Sequence, residues 1–148
     1  MGFPAKTIMT RQFVSIELDA SADAAMELLL RHQISGLPVV DSQGNLKGVI
    51  TEFDLLKLLF DTNQSASVAD FLTRDVITVN EDDPLPAVAE LFLSTTIRRV
   101  PVLREGKVVG IISRRDLIRY VHSIRQAVAQ QLEARKQAHA GEKKLSEV

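Results

Sequence analysis

The chain has 148 residues, of which 45% are hydrophobic and 25% are charged, a balance typical of soluble globular proteins. This length allows one domain, or two half-domains that pack closely together. The 18 Lys and Arg residues offset the 19 Asp and Glu residues, so the net charge of −1 gives no general attraction for nucleic acid. The sequence has no cysteine, which excludes disulfides, thiolate nucleophiles, cysteine-ligated zinc and iron–sulfur clusters.

No stretch of the sequence predicts a membrane segment or a reaction centre. The apolar runs fall short of the ~18 residues that a membrane span needs, and the N-terminal segment lacks the apolar stretch of a secretory signal. His32, His122 and His139 have no histidine partner four residues away, and no nucleophile motif or Walker loop occurs. We therefore expect a cytoplasmic protein with no membrane or nucleic-acid partner, no metal site, no catalytic residues and no enzymatic activity.

The first half of the chain predicts the element order β-α-β-β-α. A short β-rich piece, Val14–Ile16, precedes a helix over Ala22–Gln33, whose apolar residues recur at helical spacing. Two strands follow, Gly36–Val40 and Leu46–Ile50, and a glycine-containing turn joins them as in a hairpin. A second helix is predicted to begin near Thr51.

The second half of the chain predicts the same order. The β-rich piece is Val76–Val79, and the helix that follows it covers Leu85–Thr95. The two strands of the hairpin are Val100–Leu103 and Val108–Ile112, and another helix begins near Ser113. The matching orders predict an α+β fold made of two β-α-β-β-α repeats.

Residue identities support this duplication. The segment Ile34–Val40 returns as Ile97–Leu103, 63 positions later, and Gly48–Leu55 returns as Gly110–Leu117, 62 positions later. The single-residue deletion lies in the turn between two strands, where it is best tolerated. A unit of about 60 residues buries too little surface to be stable alone, so we expect the repeats to pack pseudo-symmetrically on one core. The predicted boundaries are residues 6–62 for repeat 1, 63–70 for a linker, 71–122 for repeat 2, and 123–148 for a C-terminal helical extension with a frayed end.

Two helical segments carry more apolar surface than one core face needs. Leu55–Phe60 is apolar nearly all round, which favours burial against a partner subunit as well as its own core; a simple core helix is the alternative. Asp116–Ala140 contains no Gly or Pro and predicts a helix of ~37 Å. Its apolar stripe consists of Leu117, Val121, Ile124, Val128 and Leu132. The stripe fits a contact with another helix, whereas a solvated tail is the alternative, and Gly141–Val148 is expected to fray.

Each half also contains a proline-centred strand, then a glycine, then a hydroxyl residue and an aspartate. The motifs are Leu37-Pro38-Val39-Val40 with Gly48-x-x-Thr51-x-x-Asp54, and Val100-Pro101-Val102-Leu103 with Gly110-x-x-Ser113-x-x-Asp116. Together with the lead-in segments Ile8–Thr10 and Phe71–Thr73, they resemble a tandem pair of cystathionine β-synthase (CBS) domains, the Bateman module, over residues 6–122. The resemblance implies a homodimer whose clefts between repeats bind an adenosine-containing regulatory ligand such as AMP, ADP, ATP or S-adenosylmethionine.

The strand-to-helix corners of the two repeats are the candidate binding corners. Thr51 and Ser113 begin helices whose unpaired backbone N–H groups suit a phosphate. Asp54 and Asp116 follow three residues later, and each offers two acceptor oxygens to a ribose. A hydroxyl and a carboxylate at this spacing also fit a helix capping box, which needs no ligand, and the two roles do not exclude each other.

Apolar residues near the corners can enclose a purine, namely Ile16, Val79, Ile34 and Ile97. Gly48 and Gly110 are expected to let ligand and backbone approach closely, because they have no Cβ. By resemblance to the family, backbone groups around Thr78 and Ile97–Arg98 read the adenine. Their counterparts in the first repeat are Val14–Ile16 and Ile34–Ser35.

The two corners are expected to differ in charge. The second repeat gathers four arginines at the expected phosphate position: Arg98, Arg99, Arg114 and Arg115. The matching residues of the first repeat are Ser35, Gly36, Glu52 and Phe53. Guanidinium groups favour phosphate oxygens and Glu52 repels them, so the second corner is predicted to be the better phosphate site. The first corner then takes a nucleoside, shares the phosphates of the second ligand, or stays empty. The alternative is that the arginines are solvated or paired with Glu81, Asp82 and Asp83.

These features lead to two predicted functions. The first is a ligand-sensing regulatory module, which binds an adenine nucleotide or an S-adenosylmethionine-like ligand and so senses energy or metabolite levels. It signals by a conformational shift to a separate effector protein. The alternative is a dimeric structural or protein-interaction module with degenerate ligand clefts.

Overall fold

A computed structural model describes residues 3–146, with side chains described as far as Gly141. The strands are β1 (Ile16–Glu17), β2 (Gly36–Val40), β3 (Leu46–Thr51), β4 (Val79–Asn80), β5 (Arg99–Arg104) and β6 (Lys107–Ser113). The helices are α1 (Ala22–His32), α2 (Glu52–Leu55), α3 (Val68–Phe71), α4 (Leu85–Ser94) and α5 (Arg114–Ser146). Two short 3₁₀ helices cover Ala5–Thr7 and Leu56–Phe60. The predicted α+β fold with two β-α-β-β-α repeats and a long C-terminal helix is confirmed.

The two repeats form separate three-stranded sheets of identical topology. One has the strand order β1-β2-β3 and the other β4-β5-β6. In each sheet the first pair is parallel and the second antiparallel. The register repeats as well, since Ile16 lies opposite Val39 and Val79 lies opposite Val102. The duplication in the sequence is therefore a duplication of hydrogen-bonded structure.

The hairpin turns explain how the repeats differ by one residue. In the first repeat, an Asp41 carboxylate oxygen accepts bonds from the backbone N–H groups of Gln43 and Asn45, each at 2.9 Å. The Asn45 side-chain amide donates to the other oxygen at 3.1 Å, and this bond holds the Asp41 pKa below its ordinary value. In the second repeat, Glu105 and Gly106 both take positive φ angles in a tighter turn. The deletion lies in this turn, as predicted.

Each repeat has its own hydrophobic cluster, and this corrects the expectation of one common core. The first cluster is centred on Leu37 and Ile50, and the second on Val100 and Ile112, all fully buried. β2 and β5 supply the buried strand at the middle of each sheet. The candidate site is therefore formed between two small cores.

Each repeat also borrows a lead-in segment from the other. Residues Ala66 and Val68, at the junction between repeats, are buried in the first cluster, whereas Ala5 and Met9 are buried in the second. Thr10 exchanges backbone hydrogen bonds of 2.8 Å and 3.0 Å with Ile111 in β6. Thr73 exchanges the equivalent pair, 2.8 Å and 2.9 Å, with Val49 in β3. The junction predicted as a linker over residues 63–70 is thus partly core, because its apolar residues complete the first sheet's packing.

This exchange accounts for Gly48 and Gly110. A Cβ on Gly48 would collide with the backbone carbonyl oxygen of Thr73, and one on Gly110 would lie 2.5 Å from the Met9 sulfur. The sequence interpretation assigned both glycines to close approach of a ligand. The structure instead uses them for close approach of the lead-in segments.

The second helices of the two repeats begin where the sequence predicted but differ in length. In the first repeat α2 is a single turn that passes into the 3₁₀ helix Leu56–Phe60, while in the second α5 runs for 33 residues, ~50 Å. Residues 121–141 of α5 are all exposed. The helix continues to Ser146, beyond the expected end near Ala140, and residues 147–148 lie outside the described part. None of the described helices combines the length and apolar character that a bilayer span requires.

Candidate functional site

A cavity of about 730 Å³ lies between the two repeats. Its lining follows the internal symmetry of the chain, because residues at matching positions of both repeats face it. The matched pairs are Gln12–Val14 with Asp75–Ile77, Ile34–Gly36 with Ile97–Arg99, Pro38 with Pro101, Val49 with Ile111, and Thr51 with Ser113. A molecule bound in this cavity would contact both repeats at once.

The corner of the second repeat opens into the cavity. Ser113 and Asp116 both line it. One Asp116 carboxylate oxygen, Oδ2, accepts bonds from the Ser113 backbone N–H at 2.8 Å and the Ser113 hydroxyl at 3.0 Å. The other oxygen, Oδ1, has only longer contacts, each 3.4 Å, with the Thr10 hydroxyl and the Arg119 guanidinium. Because such long contacts are weak, Oδ1 can exchange them for a ligand hydroxyl.

The corner of the first repeat is closed. Thr51 lines the cavity, but the Asp54 side chain does not, and its residue is only 4% exposed. Asp54 Oδ2 accepts bonds from the Thr51 N–H at 3.0 Å and the Thr51 hydroxyl at 2.9 Å. The Thr73 hydroxyl lies 3.1 Å from Oδ1 and 3.3 Å from Oδ2. Both carboxylate oxygens of Asp54 therefore have partners within the protein.

The capping-box interpretation is realised at both corners. The Asp54 N–H donates to the Thr51 hydroxyl oxygen, and the Asp116 N–H donates to that of Ser113, each at 3.2 Å. Capping and ligand contact are compatible at the second corner, since Asp116 caps its helix and still faces the cavity.

The structure places the predicted apolar residues in two different environments. Ile34 and Ile97 line the cavity, but Ile16 and Val79 do not. Ile16 and Val79 lie on β1 and β4, and their side chains belong to the two hydrophobic clusters. The two-residue strands turn them inward, because successive residues of a strand point to opposite faces. Thr78 is half-buried and also lies outside the cavity lining.

Residues just before these short strands take their place. Phe13 and Val14 line the cavity from the first repeat, and Val76 and Ile77 line it from the second. Sequence reasoning named Val14 but missed Phe13, Val76 and Ile77 as wall residues. The offset of 63 positions between Phe13 and Val76 was the signal that would have identified them as a matched pair.

A second cavity of about 690 Å³ adjoins the first and contains the four predicted arginines. Arg98, Arg99 and Arg115 line both cavities, whereas Arg114 lines only the second. Arg114 Nε donates to the Ile97 carbonyl at 3.1 Å, and its Nη2 donates to the Thr96 carbonyl at 3.3 Å. The remaining lining residues are Gln33, Ile34, Ser35, Glu52, Ser113 and Ile118.

The acidic partners considered for these arginines are engaged elsewhere. Glu81 lies 3.9 Å from Arg104, and Asp82 lies 3.0 Å from Lys6. Asp83 accepts a bond of 2.8 Å from the Asn80 backbone N–H. Across the described part of the chain, none of the four arginines has an acidic side chain within 4.0 Å. Their charges therefore face solvent and the two cavities, the first through Arg98, Arg99 and Arg115 and the second through all four.

No group of three metal-ligating side chains is found among the residues that the structure describes. His32 lies at the wall of the first cavity without such neighbours. The first cavity is lined by apolar residues and by charged residues of both signs, which are Asp75, Asp116, Arg98, Arg99, Arg115 and Arg119.

Comparison with known proteins identifies the fold. A family model for the CBS domain matches the chain twice, over residues 5–61 and 68–123. The crystal structure of CBSX2 in complex with AMP, from a protein of Arabidopsis thaliana, is 32% identical with a TM-score of 0.75 and covers 84% of this chain and 99% of that one. The CBS domain pair of MJ0100, in complex with 5-methylthioadenosine and S-adenosyl-L-methionine, is 31% identical with a TM-score of 0.69, covering 83% and 98%.

A relative of known sequence is the uncharacterized protein MJ1225 of Methanocaldococcus jannaschii, 33% identical over 121 residues. The match covers 81% of this chain and spans 43% of MJ1225. Since the two matches to the family model take up most of the 148 residues and coincide with the two repeats of the fold, the chain belongs to the CBS-domain family and carries two CBS domains in tandem.

Proposed function

We propose that the protein is a regulatory module that binds one adenosine-containing ligand in the cleft between its CBS domains. The observation that carries this proposal is the open corner of the second repeat, where Ser113 and Asp116 face a cavity of about 730 Å³. The complexes of CBSX2 with AMP and of MJ0100 with 5-methylthioadenosine and S-adenosyl-L-methionine support the choice of an adenosine-containing ligand.

The proposed pose places the ribose at Asp116. Its Oδ1 exchanges the two 3.4 Å contacts for hydroxyl groups of the sugar, while Oδ2 keeps its bonds to Ser113. The purine lies between apolar walls that include Ile34 and Ile97. Backbone groups of Ile97–Arg98, which line the cavity, then read the adenine edge, as the family resemblance implies; Thr78, which the resemblance also names, lies outside the lining.

The first corner is proposed to stay empty of a ribose. A ligand hydroxyl would have to displace Thr73 from Asp54, whose two oxygens already accept shorter bonds. The Asp54 side chain is buried and does not line the cavity, so a ligand hydroxyl would reach it only after the Thr73 segment had moved. One ligand per chain is the expected stoichiometry.

Regulation is proposed to work by population shift. The ligand contacts both repeats, so it favours the relative orientation in which its contacts are complete. A separate effector protein that distinguishes this orientation would receive the signal, because binding free energies at coupled sites are reciprocal. We propose in addition that the role is non-enzymatic and cytoplasmic, with energy or metabolite level as the input.

A homodimer is proposed from two matched apolar patches. Leu30 and Leu93 occupy equivalent positions on α1 and α4 and are 80% and 88% exposed. Leu56, the first residue of the 3₁₀ helix that follows α2, and Ile118 of α5 are equivalent and are 64% and 66% exposed. Isolated exposed leucines are ordinary, but matched patches on both repeats suit a two-fold partner that covers each in turn.

The test is direct binding of adenosine, AMP, ATP and S-adenosylmethionine by isothermal titration calorimetry, with thermal melting in parallel. A ligand at 100 times its Kd stabilises the folded state by about 2.7 kcal/mol, which is a readily measured rise in Tm. Saturable binding at one site per chain is expected for at least one compound. If no compound binds and the protein is nevertheless a dimer, it is instead an interaction module with degenerate clefts. The matched apolar patches are then its interaction surface.

A further inference from the structure

Within the described part of the chain, the apolar stripe of α5 is covered only at its first residue. Leu117 packs against the second hydrophobic cluster and so anchors the helix to the repeat. The stripe continues into solvent as Val121, Ile124, Val128 and Leu132, which are 49%, 42%, 49% and 53% exposed. Every residue over 121–141 is exposed, a stretch of ~31 Å. The protein therefore leaves this face open to another molecule.

The exposed stripe is narrow, with cations along one edge and small residues along the other. At about 100° per residue, its four residues fall within ~80° of the helix circumference, the width of a helix–helix seam. Arg125 and Lys136 lie beside Leu132 on one edge, whereas Ala127 and Ala138 lie on the other. The opposite face consists of uncharged polar residues, namely Ser123, Gln126, Gln130 and Gln137.

The cations of this segment favour an acidic partner. Arg125, Arg135 and Lys136 have no acidic side chain within 4.0 Å among the described residues. Glu133 is the single acidic residue over 121–141. A second α5 would place like charges beside the same seam, which disfavours a pair of identical helices. A helix with carboxylates along the edges of its apolar seam complements both the stripe and the cations.

A lipid surface fits this helix less well. Helices that lie in a bilayer interface carry Lys and Arg on the polar face and bulky Trp, Phe or Leu on the other. Here the face opposite the stripe is Gln and Ser, and three of the four exposed stripe residues are Val or Ile. The cations lie at the edge of the stripe, as the charges that flank a coiled-coil seam do. These features favour a protein helix over a membrane as the occupant.

The same helix begins at the ligand cavities. Arg114, Arg115 and Arg119, in its first turns, each line one or both of them. No Gly or Pro interrupts residues 114–140, so the cavity wall and the exposed stripe belong to one continuous helix. A rigid helix can carry a change of orientation at its base to its far end. The exposed stripe is thus mechanically connected to the site where the ligand is proposed to bind.

We propose that residues 121–138 of α5 dock the effector protein through an acidic amphipathic helix, whose apolar seam covers Val121, Ile124, Val128 and Leu132. This inference rests on the proposed function, which requires an effector, and it names the docking surface and the chemistry of that partner. Four apolar side chains form a small contact, so the complex is transient, with a Kd on the order of tens of micromolar.

The test uses a synthetic peptide of four heptads with Leu at positions a and d and Glu at positions e and g, labelled for fluorescence anisotropy. The full chain is titrated into it without any adenosine compound. We expect saturable binding that weakens at high salt, and little binding of a matched peptide with Lys at e and g. Because no adenosine ligand takes part, failure here leaves the calorimetric test of the proposed function unaffected.

Two substitutions that add the same charge distinguish the stripe from the rest of the helix. Val128→Glu places a carboxylate in the seam and should raise the Kd of the acidic peptide about tenfold or more. Gln130→Glu places it on the opposite face and is the matched control, which should change the Kd by less than about twofold. Circular dichroism should show the same helix content in both variants as in the parent chain.

The double variant Arg125→Glu, Lys136→Glu tests the charges. It should weaken the acidic peptide about fivefold or more and bind the Lys-containing peptide more tightly than the parent chain does. No binding of the acidic peptide, equal affinity for the two peptides, or equal losses in the two single variants would overturn the proposal. Self-association that Val128→Glu abolishes would overturn it in favour of a second copy, and Val128-dependent binding to phosphatidylcholine–phosphatidylserine vesicles alone would overturn it in favour of a membrane.

Discussion

The hydroxyl group of Thr73 lies within hydrogen-bond distance of both oxygens of the Asp54 carboxylate, at 3.1 Å and 3.3 Å. Thr73 belongs to the lead-in of the second repeat, whereas Asp54 caps the helix that begins at Thr51 in the first. The pair therefore ties the two repeats together and closes one of the two corners. Its counterpart, Thr10 with Asp116, is longer at 3.4 Å, and that corner is open.

Thr73→Val is expected to lower the free energy of unfolding by about 1 kcal/mol, because the buried Asp54 carboxylate loses a donor while the side chain keeps its shape. Urea denaturation at neutral pH measures this loss. Thr10→Val is the matched control and should cost clearly less, since its contact is weak. Equal losses for the two variants would show that the shorter contact has no energetic significance.

The two aspartates should separate ligand binding from stability. Asp116→Asn is expected to weaken an adenosine-containing ligand about tenfold or more, because the amide has one acceptor oxygen and cannot accept both the Ser113 bonds and the ribose hydroxyls. Asp54→Asn should lower the melting temperature and leave the affinity within about twofold. Calorimetric Kd values of the folded variants decide the matter, and a larger binding defect in Asp54→Asn would contradict the assignment of the open corner.

Gly48→Ala is expected to destabilise the fold by about 2–3 kcal/mol, because the new methyl group meets the Thr73 backbone, which β3 holds by two hydrogen bonds. Gly110→Ala should cost less, since the Met9 thioether that it meets can rotate away. Thermal and urea melts of both variants give the comparison. A milder effect at Gly48 would mean that the lead-in segment is free to move.

The oligomeric state should respond to the matched apolar patches. Leu56→Glu is expected to convert the proposed dimer to a monomer of 16.4 kDa, since the charge would be buried without a partner in the proposed subunit contact. Light scattering after gel filtration measures the mass. Leu132→Glu, an equally conspicuous exposed leucine on the projecting part of α5, is the control and should leave the dimer intact. Loss of the dimer in the control alone would move the contact to the apolar stripe of α5.

The turn at Asp41 should add a small acid-sensitive contribution to stability. The Asn45 side chain is the main cause of the lowered Asp41 pKa, so the folded state binds this proton less tightly than the unfolded state. The stabilisation is therefore complete above the ordinary value of 3.8 and is lost as pH falls through the lower folded value. Asp41→Asn should show a shallower loss of stability as the pH falls below 3.8 in urea melts. An unchanged slope would contradict this.

Repetition made most of the fold predictable from the sequence. Apolar patterns that occur twice at fixed offsets predict the hairpin strands of both repeats, β2, β3, β5 and β6. They also predict where the helices α1, α2, α4 and α5 begin. A pattern confirmed twice is far stronger than either copy alone. The one-residue difference between the offsets even located the turn in which it occurs.

The exchange of lead-in segments was not predictable, because nothing in a linear pattern tells which of two similar sheets a short apolar segment will cover. Ala5 and Ala66 look alike in sequence, yet Ala5, just before the first repeat, packs on the second, and Ala66, just before the second repeat, packs on the first. The same crossing brings Thr73 to Asp54, so the closure of the first corner could not be foreseen either. Ile16 and Val79 each lie in a strand of only two residues. So short a strand has no alternating pattern from which its buried face could be predicted.

The exchange of lead-in segments between the repeats also affects how the protein responds to proteolysis. A protease cut between Phe60 and Ala66 would yield two fragments, each of which contains residues that are buried in the other's hydrophobic cluster. Such fragments would stay associated until the whole molecule melts, so a nicked chain should still migrate as one body in a native gel. Duplication here has produced interlocked halves, which we expect to fold and unfold as a single cooperative unit.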